Sequence, residues 1–179
     1  WMTLDGPVSA YTDLTLTADN FLATDSWITA KDTLTAVTGD IEASAESDIT
    51  FNDVASAGND MTLDADSDGD GDGQLNVNGL VAGGNIDLSA GDSTIYIYES
   101  ADPGASADVD ADGDIILHNN AWAADGVKLD AGRDVIVGDG TGDGTTLKGE
   151  GALTVEADRH IILGGAVVAS DDEDGDLIL

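Results

Sequence analysis

The densest chemistry in the chain lies in Asp66-Ser67-Asp68-Gly69-Asp70-Gly71-Asp72-Gly73. Alternating aspartates aim oxygens at a common centre, and the glycines permit the sharp turn that a calcium loop needs. Measured against the EF-hand loop pattern, the match holds at Asp66, Asp68, Asp70 and Gly71. It fails at the twelfth position, where Val77 stands in place of a bidentate Glu, and no flanking helices are expected. Calcium held by Asp66, Asp68, Asp70 and Asp72 competes here with a merely solvated acidic corner. Asp110, Asp112 and Asp114 make a second alternating set and are candidate ligands of the same kind. Related clusters occur at 139–143 and 171–176.

These carboxylates need a scaffold, and the chain supplies one by repeating itself. An apolar-x-apolar-x-Ala strand, a polar corner and a second apolar strand recur, as in Leu129-Asp130-Ala131-Gly132-Arg133-Asp134-Val135. The alanine closing the first strand falls at Ala18, Ala45, Ala65, Ala90, Ala111, Ala131 and Ala157, the last five intervals being 20, 25, 21, 20 and 26. A period in that range marks a solenoid, whose units bury an apolar face only by stacking. The expected architecture is an all-β, right-handed parallel β-helix of about seven rungs of 20–26 residues, the hand taken from the general crossover preference. Residues 1–179 then form a single β-solenoid segment. Inward pairs are Leu14/Leu16, Met61/Leu63, Ile86/Leu88, Ile95/Ile97, Val127/Leu129 and Leu153/Val155. A third strand is suggested by Leu80-Val81-Ala82, Ala121-Trp122-Ala123 and Ala166-Val167-Val168. Between Ala18 and Ala45 the register is irregular, with half-units at 34–36 and 41–43. Gly91 and Gly132 are expected at positive φ in the corners, with Asp or Asn beside such glycines capping free amides.

Alignment also places Asp64, Ser89, Asp110, Asp130 and Glu156 one before each alanine, an outward column with about 4.8 Å between neighbours. Adjacent carboxylates at that spacing repel by roughly 1 kcal/mol in water, so either cations bridge the column or its side chains splay into solvent where salt screens them. Arg133 and Arg159 share one repeat position and read as counter-charges to this column. The competing reading is a β-helical polysaccharide lyase or hydrolase with carboxylates, calcium and an arginine base. His118 and His160 fall at different repeat offsets and form no evident pair. Tyr96 and Tyr98 alternate outward, as rings paired along a sheet or as a sugar-stacking surface.

Composition narrows the partners. The net charge is −32, from 37 acidic and 5 basic residues, which excludes nucleic acid, whose phosphates need Lys and Arg. Asp greatly outnumbers Glu, and short side chains suit corners and divalent-ion sites. Aromatics are only 4%, so the core must be aliphatic and thin. With no cysteine there is neither disulfide nor thiolate site. No apolar run is long enough to insert in a membrane.

The strings Leu129-Asp130-Ala131-Gly132-Arg133-Asp134-Val135 and Gly84-Asn85-Ile86-Asp87-Leu88-Ser89-Ala90-Gly91 resemble the repeats of filamentous-haemagglutinin-type exoproteins. That resemblance implies a right-handed β-helix shaft within a large secreted adhesin. The resulting expectation is a non-catalytic, extracellular or cell-surface structural protein. It would be a fragment or subunit of a longer fibre, joined end to end with like units or neighbouring repeats and stabilised by calcium. A cell-surface glycan or receptor would be a further partner.

Overall fold

A computed structural model describes residues 1–19, 26–91, 94–118, 120–123, 126–138, 146–149, 151–169 and 177–179. Its described residues contain strands and no helix, and every strand pairing is parallel. The chain is a parallel β-solenoid.

Three faces stack along it. The first is an 8-stranded sheet of Leu14–Ala18, Ile41–Ala45, Met61–Ala65, Ile86–Ala90, Ser106–Ala111, Gly126–Ala131, Leu153–Ala157 and Leu177–Ile178, neighbours in that order. A 13-stranded sheet supplies the other two. Its second face runs from Met2–Leu4 and Ile28–Ala30 to Ile115–Leu117, Asp134–Val137 and His160–Leu163. The third runs from Val8–Ala10 and Leu34–Ala36 to Asn120–Ala123, Thr146–Gly149 and Ala166–Ala169. In the middle coils the long strands Ile49–Ala57, Leu75–Ala82 and Ile95–Pro103 serve both faces. Register shifts between Phe51 and Val54 and between Ile97 and Ser100 bend them from one face to the next.

The expected register is observed. Ala18, Ala45, Ala65, Ala90, Ala111, Ala131 and Ala157 pair each with the next. The reason is steric: small side chains fill the narrow interior at that corner, while Ile and Leu fill the flat parts. On the second face Ile28, Ile49, Leu75, Ile95, Ile115 and Val135 form one column, each with no exposed surface. All the inward pairs named from the sequence point into this core, Leu14 being half-buried at its end.

Three details differ from the reading of the sequence. Residues 41–43 are no half-unit but the start of Ile41–Ala45, in full register with Leu14–Ala18 and Met61–Ala65, whereas Leu34–Ala36 belongs to the third face. The three third-face segments are real, yet Ala121 lies level with Val167 through Leu147, so the last copy is offset by one residue. Gly91 and Gly132 do not have positive φ; in the described residues that conformation belongs to Gly69, Gly71, Gly138 and Asp66. They are glycines because the coils crowd there. A Cβ on Gly132 would collide with the Asp112 carbonyl, and one on Gly91 with the Asp66 carboxylate.

The abundance of Asp has a structural use. Asp40, Asp60 and Asn85 donate backbone N–H bonds to the side chains of Asp13, Asp40 and Asp60 at 3.1, 3.1 and 2.7 Å. Ser106 continues the chain onto Asn85 Oδ1 at 3.3 Å. Each side chain therefore caps the amide of the following coil, a reach that suits Asp and Asn better than Glu.

Candidate metal centre and acidic face

The Asp66 loop joins the first-face strand Met61–Ala65 to Leu75–Ala82. Backbone handedness shapes it: Asp66, Gly69 and Gly71 have φ of 97°, 72° and 96°. Asp66 organises the turn, its carbonyl accepting from Gly69 N–H at 3.0 Å and its Oδ1 from Gly71 N–H at 2.9 Å. One carboxylate oxygen each from Asp66, Asp68 and Asp70 lie within 4.8 Å of one another. Oxygens about 2.4 Å from a shared calcium are at most about 4.8 Å apart, so the trio fits one ion and leaves several coordination positions for water. Asp72 is exposed and stands outside the trio; its N–H caps Asp70 Oδ1 at 3.2 Å. Val77, the twelfth position, is fully buried in the core and cannot be a ligand.

Asp110, Asp112 and Asp114 are not gathered into such a group; among the described residues only the Asp66 trio is. The cause is strand alternation followed by a corner. Asp110 faces outward on the first face, and Asp112 is exposed at the corner beyond it. Asp114 turns toward two arginines, 3.4 Å from Arg133 Nε and 3.8 Å from an Arg159 guanidinium nitrogen. Asp110 and Asp112 do line one surface groove of about 250 Å³ together with Asp64, Asp66 and Ser89. The clusters at 139–143 and 171–176 lie outside the described residues.

The carboxylate column is in register from Asp64 through Ser89, Asp110 and Asp130 to Glu156. A second outward column runs beside it, two residues earlier on each strand: Glu42, Thr62, Asp87, Asp108, Lys128 and Thr154. The sequence reading missed it, although the same alanine register locates it. Lys128 supplies the bridging cation, its Nζ 3.4 Å from Asp130 and 3.7 Å from Asp108. The Ser89 hydroxyl relieves Asp64 by donating to Oδ1 at 2.9 Å. Among the described residues Asp87 has no such help. Partial burial, then the charges of Asp108, Asp110 and Asp64, push its carboxyl above the ordinary range. Burial and the neighbouring Asp130 push Asp110 the same way, while Lys128 pulls it down. The Lys128 ammonium is held protonated above its usual range, chiefly by Asp108.

Arg133 and Arg159 are counter-charges, but to a different set of aspartates. They occupy equivalent corner positions, Arg159 N–H donating to the Arg133 carbonyl at 2.9 Å. Arg159 donates to Asp134 through Nε at 3.1 Å and a terminal nitrogen at 2.7 Å. His160 Nδ1 lies 3.0 Å from the same carboxylate. Arg159, more than His160, holds the Asp134 carboxyl below its ordinary range. His118 joins an aromatic stack, 5.1 Å from Tyr98 with planes 4° apart, and Tyr96 lies 6.0 Å from Tyr98. Stacked in this way, the rings turn their faces toward one another, the sheet-pairing alternative.

The middle of the second face carries no charge at all. Outward from its core column run Thr3, Thr29, Thr50 and Asn76, then Tyr96, Ile116, Ile136 and Ile162, all in register. Set against these observations, no protein-family model, no curated protein and no solved structure matches the chain.

Proposed function

We propose that this protein is a non-catalytic extracellular or cell-surface structural or adhesive shaft, a stiff acidic solenoid of the kind that the exoprotein-like repeats imply. The observation that carries this reading is the unbroken register of three parallel faces along the described chain, with carboxylates confined to columns and corners. A stack held by inter-coil hydrogen bonds resists bending, and a further coil of the same repeat would extend its ladders. That coil would come from the same polypeptide or from a like unit. Calcium at Asp66, Asp68 and Asp70 fits an extracellular setting, where modules with half-millimolar affinities are filled. The lyase alternative needs an arginine base available to substrate; Arg133 and Arg159 are instead paired with Asp114 and Asp134, which favours the structural reading.

The test is electron microscopy of the protein with calcium and with chelator, beside thermal melts at low ionic strength. Filaments or end-to-end strings, and a melt raised by calcium, are expected; a lone particle whose melt ignores chelator would overturn the proposal. Appearance of unsaturated-product absorbance on acidic polysaccharides, lost on Arg159→Ala, would establish the lyase instead.

A further inference from the structure

We infer that Asn78–Gly79 is a self-modification site, at which Asn78 deamidates through a cyclic imide while the solenoid stays folded. Asn78 is the one asparagine of the chain that precedes glycine, so no side chain shields the backbone nitrogen after it. The fold brings that nitrogen within reach. Val77, Asn78 and Gly79 turn the corner from the second face to the third, where the ladder shifts register. Asn78 there stands opposite two residues in each flanking coil, Asn52-Asp53 before it and Tyr98-Glu99 after it. At the same corner of the two preceding coils a side chain folds back onto the next amide. Thr33 N–H donates to Asp32 Oδ1 at 2.8 Å, and Val54 N–H to Asp53 Oδ1 at 2.7 Å. Asn78 stands where Asp53 does, immediately before the residue in register with Val54. Its half-buried side chain makes no hydrogen bond among the described residues, so no partner holds it away from Gly79.

A carboxylate in that pose lacks a good leaving group, whereas an amide can lose ammonia. The Gly79 nitrogen attacks Asn78 Cγ and an N–Cγ bond forms. The Cγ–Nδ2 bond breaks, and Nδ2 departs as ammonia with the proton that the Gly79 nitrogen gives up. A corner that keeps the two groups adjacent supplies the encounter that a free chain must find by chance. Water then opens the imide at either carbonyl, leaving aspartate or isoaspartate at position 78. Aspartate already occupies positions 32 and 53, so the corner accommodates that product and gains one negative charge.

Peptide mapping by mass spectrometry tests this on the wild type, incubated at neutral pH in native buffer and in urea. In the native protein the amide-to-acid mass change should accumulate at Asn78 several-fold faster than at Asn59, Asn76 and Asn85. Its rate should be comparable to that in urea. Reaction through the small unfolded fraction would be far slower than in urea, so a comparable native rate locates the chemistry in the folded corner. Gly79→Val copies Val54 of the preceding coil and should stop the change with an unaltered circular dichroism spectrum. A native protein that keeps its Asn78 amide while the urea sample loses it, or a Gly79→Val chain that converts as fast as wild type, overturns the inference. The wild-type comparison stands even if the variant misfolds.

Discussion

Lys128 stands alone as a cation among the described outward residues of the first face, between two aspartates on adjacent coils. Its pairs are half-exposed, so Lys128→Met should cost at most about 1 kcal/mol, read as a lowered urea midpoint whose deficit shrinks with salt. Asp87 and Asp134 predict opposite pH behaviour. The raised carboxyl of Asp87 disfavours its charged form in the folded state, so its favourable contribution is present below the ordinary carboxylate range and lost as pH rises through it. Asp87→Asn should therefore stabilise at neutral pH, by under about 1 kcal/mol, with the gain vanishing in acid. Asp134 is depressed by Arg159, so its contribution is present at neutral pH and lost as pH falls through the carboxylate range. Asp134→Asn should destabilise at neutral pH and be silent in acid. Urea midpoints measured at both pH values check the pair, and equal shifts would contradict the assignment.

At the level of strands and corners, stability comes from two repeated devices. Inward columns bury aliphatic side chains completely, so Ile95→Ala, in the middle of one, should cost about 2–5 kcal/mol. Corner side chains cap the next coil: Asp60 accepts from Asn85 N–H at 2.7 Å and from its side-chain amide at 3.3 Å. Asp60→Ala should cost about 1 kcal/mol, with hydrogen exchange quickened at the Asn85 amide. Glycines divide into two kinds. Gly132→Ala forces a Cβ against a neighbouring coil and should cost about 1–3 kcal/mol by overpacking. Gly69, by contrast, has open space around it but a φ of 72°, so alanine there meets backbone strain of about 1 kcal/mol rather than a collision.

Across the whole molecule the charge is segregated. Carboxylates occupy the first face and the corners, while the central column of the second face carries none. A uniform acidic coat would keep solenoids apart. A segregated one leaves the central column of the second face free of that repulsion, and places the Asp66 loop at a corner. Because coils contact only their neighbours, an ion at that loop should protect mainly adjacent coils. Calcium should therefore slow hydrogen exchange near 61–82 more than near 153–163, and uniform protection would argue against a local site.

The sequence alone determined the architecture and its register. Period-two alternation decides which side chains point inward, and an alanine that fits the narrow corner marks each coil, so insertions such as 66–73 shift nothing beyond themselves. It also located the Asp66 trio, whose members are near neighbours in the chain. The tertiary structure alone decided what lies sideways. Asp114 meets Arg133 and Arg159, Tyr98 meets His118, and Lys128 reaches back to Asp108, across 19 to 45 residues of chain. Inter-coil hydrogen bonds hold those residues a strand's width apart, whereas the direction of each corner side chain depends on crowding from the coil beside it, which local spacing does not encode.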